Sequence, residues 1–193
     1  CALPICFIGH TEVELNLQYA VSVINAKTLR LLAFDWTYQE SRDGGQTWTV
    51  LERGVGGPNN SMPTQRLQFL NDSVGWRLLT DGQVYRTENG GKTWDPTPAR
   101  DAVDLHFFDA NRGWVRTQNL SLLLTDDGGR SWRTTTGLPL GIRVLRSLPG
   151  GRLVGVGSAD VTVVSTDGGQ TWQRRVWPGA GAQMLNALAV HPQ

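Results

Sequence analysis

One phrase is written four times along this chain. Ser41–Trp48 reads SRDGGQTW, Thr87–Trp94 reads TENGGKTW, Thr125–Trp132 reads TDDGGRSW and Ser165–Trp172 reads STDGGQTW. The closing tryptophans stand 46, 38 and 40 residues apart. Such a period fits one four-stranded blade of a β-propeller per unit. Helical repeats do not fit, because short β-rich runs lead into the phrase: Gln83–Arg86, Leu120–Leu124 and Val161–Val164.

A second word repeats inside the unit. Phe69–Trp76 (FLNDSVGW) matches Phe107–Trp114 (FFDANRGW), and each of these tryptophans precedes the phrase's own tryptophan by 18 residues. Two words at one fixed offset define a blade. Strand A ends in the Phe, strand B begins at Gly-Trp, strand C runs into the Gly-Gly phrase, and strand D carries its Trp. In the fourth unit Arg152–Gly157 (RLVGVG) replaces Gly-Trp, and in the first Thr28–Phe34 (TLRLLAF) does.

The expected fold is all-β, a propeller of four-stranded antiparallel blades with four to five visible. The blade-like units are approximately 19–54, 64–99, 102–137 and 142–177, and 1–18 with 183–193 supply a closing or partial blade. The chain is either a small ring or part of a larger one, since an open propeller leaves bare strand edges.

The phrase itself reads as a hairpin turn between strands C and D. Its Asp accepts hydrogen bonds from backbone N–H groups just ahead. The glycines supply positive φ. The Ser or Thr hydroxyl satisfies further turn groups, and the Trp buries its face while its indole N–H seeks a carbonyl. That is stability chemistry, repeated because the blade is repeated.

Composition closes off several functions. Hydrophobic content of 39% and charged content of 18% describe a folded, non-membrane chain. A net charge of +1 gives no global field for nucleic acid. His10, His106, His191, Cys1 and Cys6 stand at no metal-ligand spacing, so no metal or cofactor is expected. Two readings stand for Cys1. One is the lipid-bearing first residue of an exported, membrane-tethered lipoprotein, and the other is simply where the chain begins. A Cys1–Cys6 bridge is compatible with the sequence.

The four phrases resemble the Asp-box, or BNR repeat, with Asp43, Asn89, Asp127 and Asp167 at the Asp position. Gly45, Gly91, Gly129 and Gly169 take its Gly, and Trp48, Trp94, Trp132 and Trp172 its aromatic. Asn89 departs from the pattern by keeping an acceptor without the charge. The longer unit looks most like the photosystem II stability/assembly factor family, over roughly residues 60–176. That resemblance implies a non-catalytic exported propeller. It would bind a subunit of a membrane complex through an Arg-rich surface.

The alternative is a glycan-active or glycan-binding module, since sialidases and other glycan hydrolases also carry Asp-boxes. A sialidase would need a Tyr–Glu pair from Tyr19, Tyr38, Tyr85 and Glu12, Glu14, Glu52. A two-carboxylate glycosidase would need a pair from Asp35, Asp81, Asp95, Asp101, Asp104 and Asp160. The discriminating feature is what converges on the channel, carboxylates or arginines. The chain has 16 Arg and 2 Lys. Arg77, Arg116, Arg174 and Arg175 are the candidate partner-binding residues, with Arg86, Arg133, Arg143 and Arg146 behind them. Arg77 and Arg116 both follow the repeated Gly-Trp and are expected near each other on adjacent blades. Trp36 and Trp177 lie outside the repeated words.

Overall fold

A computed structural model describes residues 20–33, 37–53, 64–135, 138, 142–157 and 161–176. Cys1, Cys6, His10, Tyr19, Trp36, Trp177, His191 and the closing segments 1–18 and 183–193 lie outside the described residues.

Four antiparallel sheets of four strands follow in chain order. The first contains β1 (Ala20–Val23), β2 (Leu29–Leu32), β3 (Thr37–Ser41) and β4 (Thr49–Arg53). The second contains β5 (Thr64–Phe69), β6 (Gly75–Leu79), β7 (Val84–Thr87) and β8 (Asp95–Pro96). The third contains β9 (Ala102–Phe107), β10 (Gly113–Thr117), β11 (Leu122–Thr125) and β12 (Arg133–Thr134). The fourth contains β13 (Ile142–Leu148), β14 (Arg152–Gly157), β15 (Val161–Ser165) and β16 (Gln173–Val176). In each sheet every strand pairs with its neighbour in sequence, the meander of a propeller blade. The strands fall where the repeated words place them, with one correction. The phrase's Trp closes the turn and stands just before strand D rather than inside it.

The physical link between the two repeated words is a ring over a glycine. Phe69 pairs with Gly75 and Phe107 with Gly113 across strands A and B. A Cβ on either glycine would collide with the Phe ring opposite. Strand A can carry its large aromatic only if strand B begins with glycine.

Blades join through the same aromatics. Phe69 stacks on Tyr38 of the preceding blade, with ring centroids 6.2 Å apart, and meets its own blade's Trp94 edge-on at 5.8 Å. Phe107 repeats this with Trp76 of the preceding blade at 3.6 Å and Trp132 at 6.0 Å. In the third joint aliphatics take over, as Leu145 and Leu153 pack with Trp114, Leu122 and Leu124. The innermost strands are also stitched. Ser22 Oγ accepts from Phe69 N at 2.7 Å. Gln68 receives Phe107 N and donates to Phe107 O, both at 2.8 Å, like a borrowed rung of sheet. Side chains of one blade thereby cap the exposed inner edge of the next.

Candidate functional site

The four turns behave as one device. In the first, Ser41 Oγ donates to Asp43 Oδ1 at 2.8 Å and accepts from Gly45 N at 2.8 Å. Asp43 Oδ1 accepts from Thr47 N at 2.9 Å, and Oδ2 accepts from Thr47 Oγ1 at 2.6 Å. Asp127 with Ser131 and Asp167 with Thr171 repeat these bonds. Asn89 keeps the set by reversing one member. Its Oδ1 still accepts from Thr93 N, while its Nδ2 donates to Thr93 Oγ1 at 2.8 Å.

Hydrogen bonds from Thr47 hold the Asp43 carboxyl down at about 2, and those from Ser131 do the same for Asp127. At Asp167 desolvation pushes upward and is outweighed by Thr171 and Ser165, again leaving it at about 2. Both glycines of the first turn take positive φ, 78° and 91°. One expectation fails. Of the four tryptophans that close the phrase, Trp48 alone donates its indole N–H to a carbonyl among the described residues, Gly45 O at 3.1 Å. The Trp94, Trp132 and Trp172 nitrogens are buried with no acceptor among the described residues. Their rings are pulled against the blade joint, and packing fixes their orientation.

The turns also anchor neighbouring blades. Gly90 O accepts from Arg30 Nη1 at 2.6 Å and from Tyr38 OH at 2.9 Å, and Gly128 O accepts from Trp76 Nε1 at 2.9 Å. Arg30, 3% exposed, is paired with Glu40 at 3.0 Å. Burial pushes the Tyr38 phenol up to about 12 against the pull of Arg30. The Tyr38 hydroxyl accepts from Arg30 and donates to Gly90 O, so it ties the first blade to the second blade's turn.

Arginines converge elsewhere, on the inner strands. Arg66 on β5 pairs with Asp104 on β9 at 3.1 Å. Arg116 on β10 lies directly across the sheet from Asp104. Burial lowers the Arg116 pKa, Asp104 raises it, and Arg66 and Arg146 lower it further. Arg116 thus feels the Asp104 carboxylate and two other cations, Arg66 of the preceding blade and Arg146 of the following one. Asp104 is the single acidic residue on β1, β5, β9 and β13 among the described residues. Arg116 Nε is buried without a partner among the described residues. Such a group of guanidinium forks suits carboxylate ligands.

The four sequence candidates separate. Arg116 joins the locus. Arg77 does not share it and is not on an outer face, being 4% exposed. Its guanidinium lies over Trp94 at 4.7 Å and Tyr85 at 5.0 Å, and burial lowers its pKa to about 10. The strand alternation that points Trp76 into one blade joint points Arg77 to the other face of the sheet. Arg174 and Arg175 are exposed on β16, the outermost strand of the fourth blade. Arg146, one of the further candidates, lies near Arg116, whereas Arg66 was missed although one signal was available. Arg66 and Asp104 both stand three residues before the repeated Phe. His106 packs against Phe108 and Trp114, and burial lowers its pKa. Among the described residues no group of His, Cys, Asp and Glu could hold a metal.

Comparison with known proteins fits this architecture. The BNR/Asp-box repeat model matches residues 39–50 and 163–174. No curated protein matches the chain. Among solved structures, YCF48 bound to D1 peptide superposes with a TM-score of 0.61 at 20% identity. That match covers 82% of this chain and 54% of that one. YCF48 from Cyanidioschyzon merolae gives 0.59 at 16% identity, covering 89% and 61%. The GH74 enzyme of Niastella koreensis gives 0.62 at 16% identity, covering 84% and 24%. The chain spans little more than half the length of the two YCF48 structures, and at these identities the likeness is one of fold. The chain is an all-β protein of propeller blades bearing BNR/Asp-box repeats, and it resembles the photosystem II assembly factor YCF48.

Proposed function

We propose that this chain is a non-catalytic binding propeller whose inner arginines hold a carboxylate-bearing segment of a protein partner. The observation that carries this reading is the Arg66–Asp104 pair with Arg116 directly across the sheet from that carboxylate, its Nε buried without a partner among the described residues, and Arg146 of the next blade near enough to depress Arg116. Two guanidinium groups at one carboxylate, with a third close to Arg116, leave an excess of positive charge in a partly desolvated place. An acidic peptide supplies the missing charge, and bidentate geometry favours carboxylates. Likeness to a YCF48 bound to D1 peptide supports a peptide as the ligand. A subunit of a membrane complex is the partner that this likeness suggests.

Likeness to GH74 enzymes supports the competing reading of a glycan-active module. That reading needs two carboxylates flanking a scissile bond. The inner strands offer Asp104, already bound to Arg66.

The test is binding of a fluorescent glutamate-rich peptide. The expected result is affinity that falls with salt and drops about tenfold or more in Arg146→Ala and Arg116→Met, with Arg174→Ala and Arg175→Ala unaffected. Equal binding by all variants, or release of reducing ends from xyloglucan by the wild-type chain, overturns the proposal.

A further inference from the structure

Two residues other than glycine hold left-handed backbone among the described residues, Asp101 at φ 56° and Leu120 at φ 65°. Both lie at one end of the third blade, where Gln118, two residues before Leu120, donates its N–H to Asp101 O at 2.8 Å. This is the end opposite the Asp-box turn, and Arg116 sits at the same end of β10.

The second blade shows what the hairpin asks for. There Leu79 N donates to Gln83 O and Gly82 N to Leu79 O. In the third blade Thr117 N donates to Ser121 O and Leu120 N to Thr117 O. Asp81 Oδ1 accepts from Gln83 N, as Asn119 Oδ1 accepts from Ser121 N. The two hairpins match bond for bond, so Leu120 stands where the repeat places Gly82 at φ 82°. A leucine there is strained, since its Cβ crowds the backbone in this conformation. Packing does not offset the strain, because the side chain is 38% exposed. Among the described residues the other exposed large hydrophobics all belong to the first blade. An exposed apolar side chain held in a costly conformation points to use by a partner.

We propose that Leu120 is an apolar anchor for the segment bound at Arg66, Arg116 and Arg146, so that this segment carries an aliphatic side chain close to its carboxylates. The proposal rests on the reading of the arginines as a carboxylate site. It adds a requirement that charge alone does not make, and it assigns specificity to a residue outside the arginine group.

The test uses two synthetic peptides of equal length and charge, one alternating glutamate with leucine and one alternating glutamate with glycine. The wild-type chain binds the leucine peptide about tenfold more tightly, the scale of one well-buried aliphatic contact. Leu120→Gly loses that preference, keeps its affinity for the glycine peptide, and melts at a higher temperature because the strain is gone. Leu120→Ala loses the preference without the gain in melting temperature. A Leu120→Gly variant that retains the preference overturns the proposal and leaves the arginine site standing. Wild-type chain that binds neither peptide overturns both.

Discussion

Phe107 lies flat against Trp76 across the joint between the second and third blades, with ring centroids 3.6 Å apart and planes within 6°. Trp76 reaches past it to donate its indole N–H to Gly128 O in the third blade's Asp-box turn. One tryptophan therefore ties a blade to both the inner strand and the outer turn of the next. Phe107→Ala should destabilise the chain by about 3–5 kcal/mol, the cost of emptying a packed aromatic site. A double-mutant cycle with Trp76→Ala, read by chemical denaturation, should return a coupling of about 0.5–1.5 kcal/mol from the stack. Additive losses would show that the rings merely fill volume.

The glycine opposite that ring is under a different demand from the glycines of the turns. Gly113→Ala places a methyl into the Phe107 ring. We expect about 1–3 kcal/mol of destabilisation from overpacking, partly recovered when Phe107→Leu makes room. Gly150, at φ 77°, has nothing within 4 Å of an added Cβ, so Gly150→Ala meets backbone strain alone. It should cost about 1–2 kcal/mol, with no rescue by any neighbour. Urea midpoints of the four variants check both expectations.

How much of this was legible in the sequence depends on which contacts lie within one repeat. The turn bonds of Asp43 with Ser41 and Thr47 span four residues or fewer, so the phrase could be read as chemistry. The Phe–Gly contact was visible as two words at a constant offset, but its cause needed the register that sets Phe107 over Gly113. Joints between blades were hidden because each is made by different residues. Arg30 and Tyr38 do at the first joint what Trp76 does at the second. The arginine site was half visible for the same reason. Arg116 lies beside a repeated word and Arg146 stood among the further candidates, whereas Arg66 sits on an inner strand, and only the packing of successive blades sets it beside Asp104.

Acid should loosen the turns in a defined window. Asp43, Asp127 and Asp167 sit at about 2 in the folded chain, below the ordinary carboxylate value of 3.8. A depressed folded pKa means that the unfolded chain takes up the proton first as pH falls. The contribution of each carboxylate is thus complete above about pH 4 and disappears towards pH 2. Asp127→Asn should keep the turn, as Asn89 does with its reversed bond to Thr93. The variant's stability should then fall less steeply than the wild type's between pH 4 and pH 2. Parallel slopes in thermal melts across that range would place the acid sensitivity elsewhere.

The buried pair Arg30–Glu40 and the exposed pair Arg112–Asp109 have similar geometry and should differ sharply in worth. Arg30 and Glu40 meet at 3.0 Å with side chains 4% and 10% exposed. Arg112 and Asp109 meet at 2.8 Å with 66% and 42% exposed. Removing the Glu40 charge leaves Arg30 as a buried cation whose remaining partners are Tyr38, the carbonyls of Gly90 and Asp72, and the half-exposed Asp72 carboxylate at 4.0 Å. Glu40→Gln should therefore cost about 3 kcal/mol, at the lower end for a broken buried pair because those acceptors remain. Arg112→Gln should cost under about 1 kcal/mol, since water replaces an exposed partner. The loss in Glu40→Gln should persist at high salt, because buried charges are poorly screened, whereas the small Arg112 effect should vanish. Denaturation of both variants at low and high ionic strength measures this difference. Equal, salt-sensitive losses would mean that water reaches Arg30 and that the first two blades are joined by packing rather than by charge.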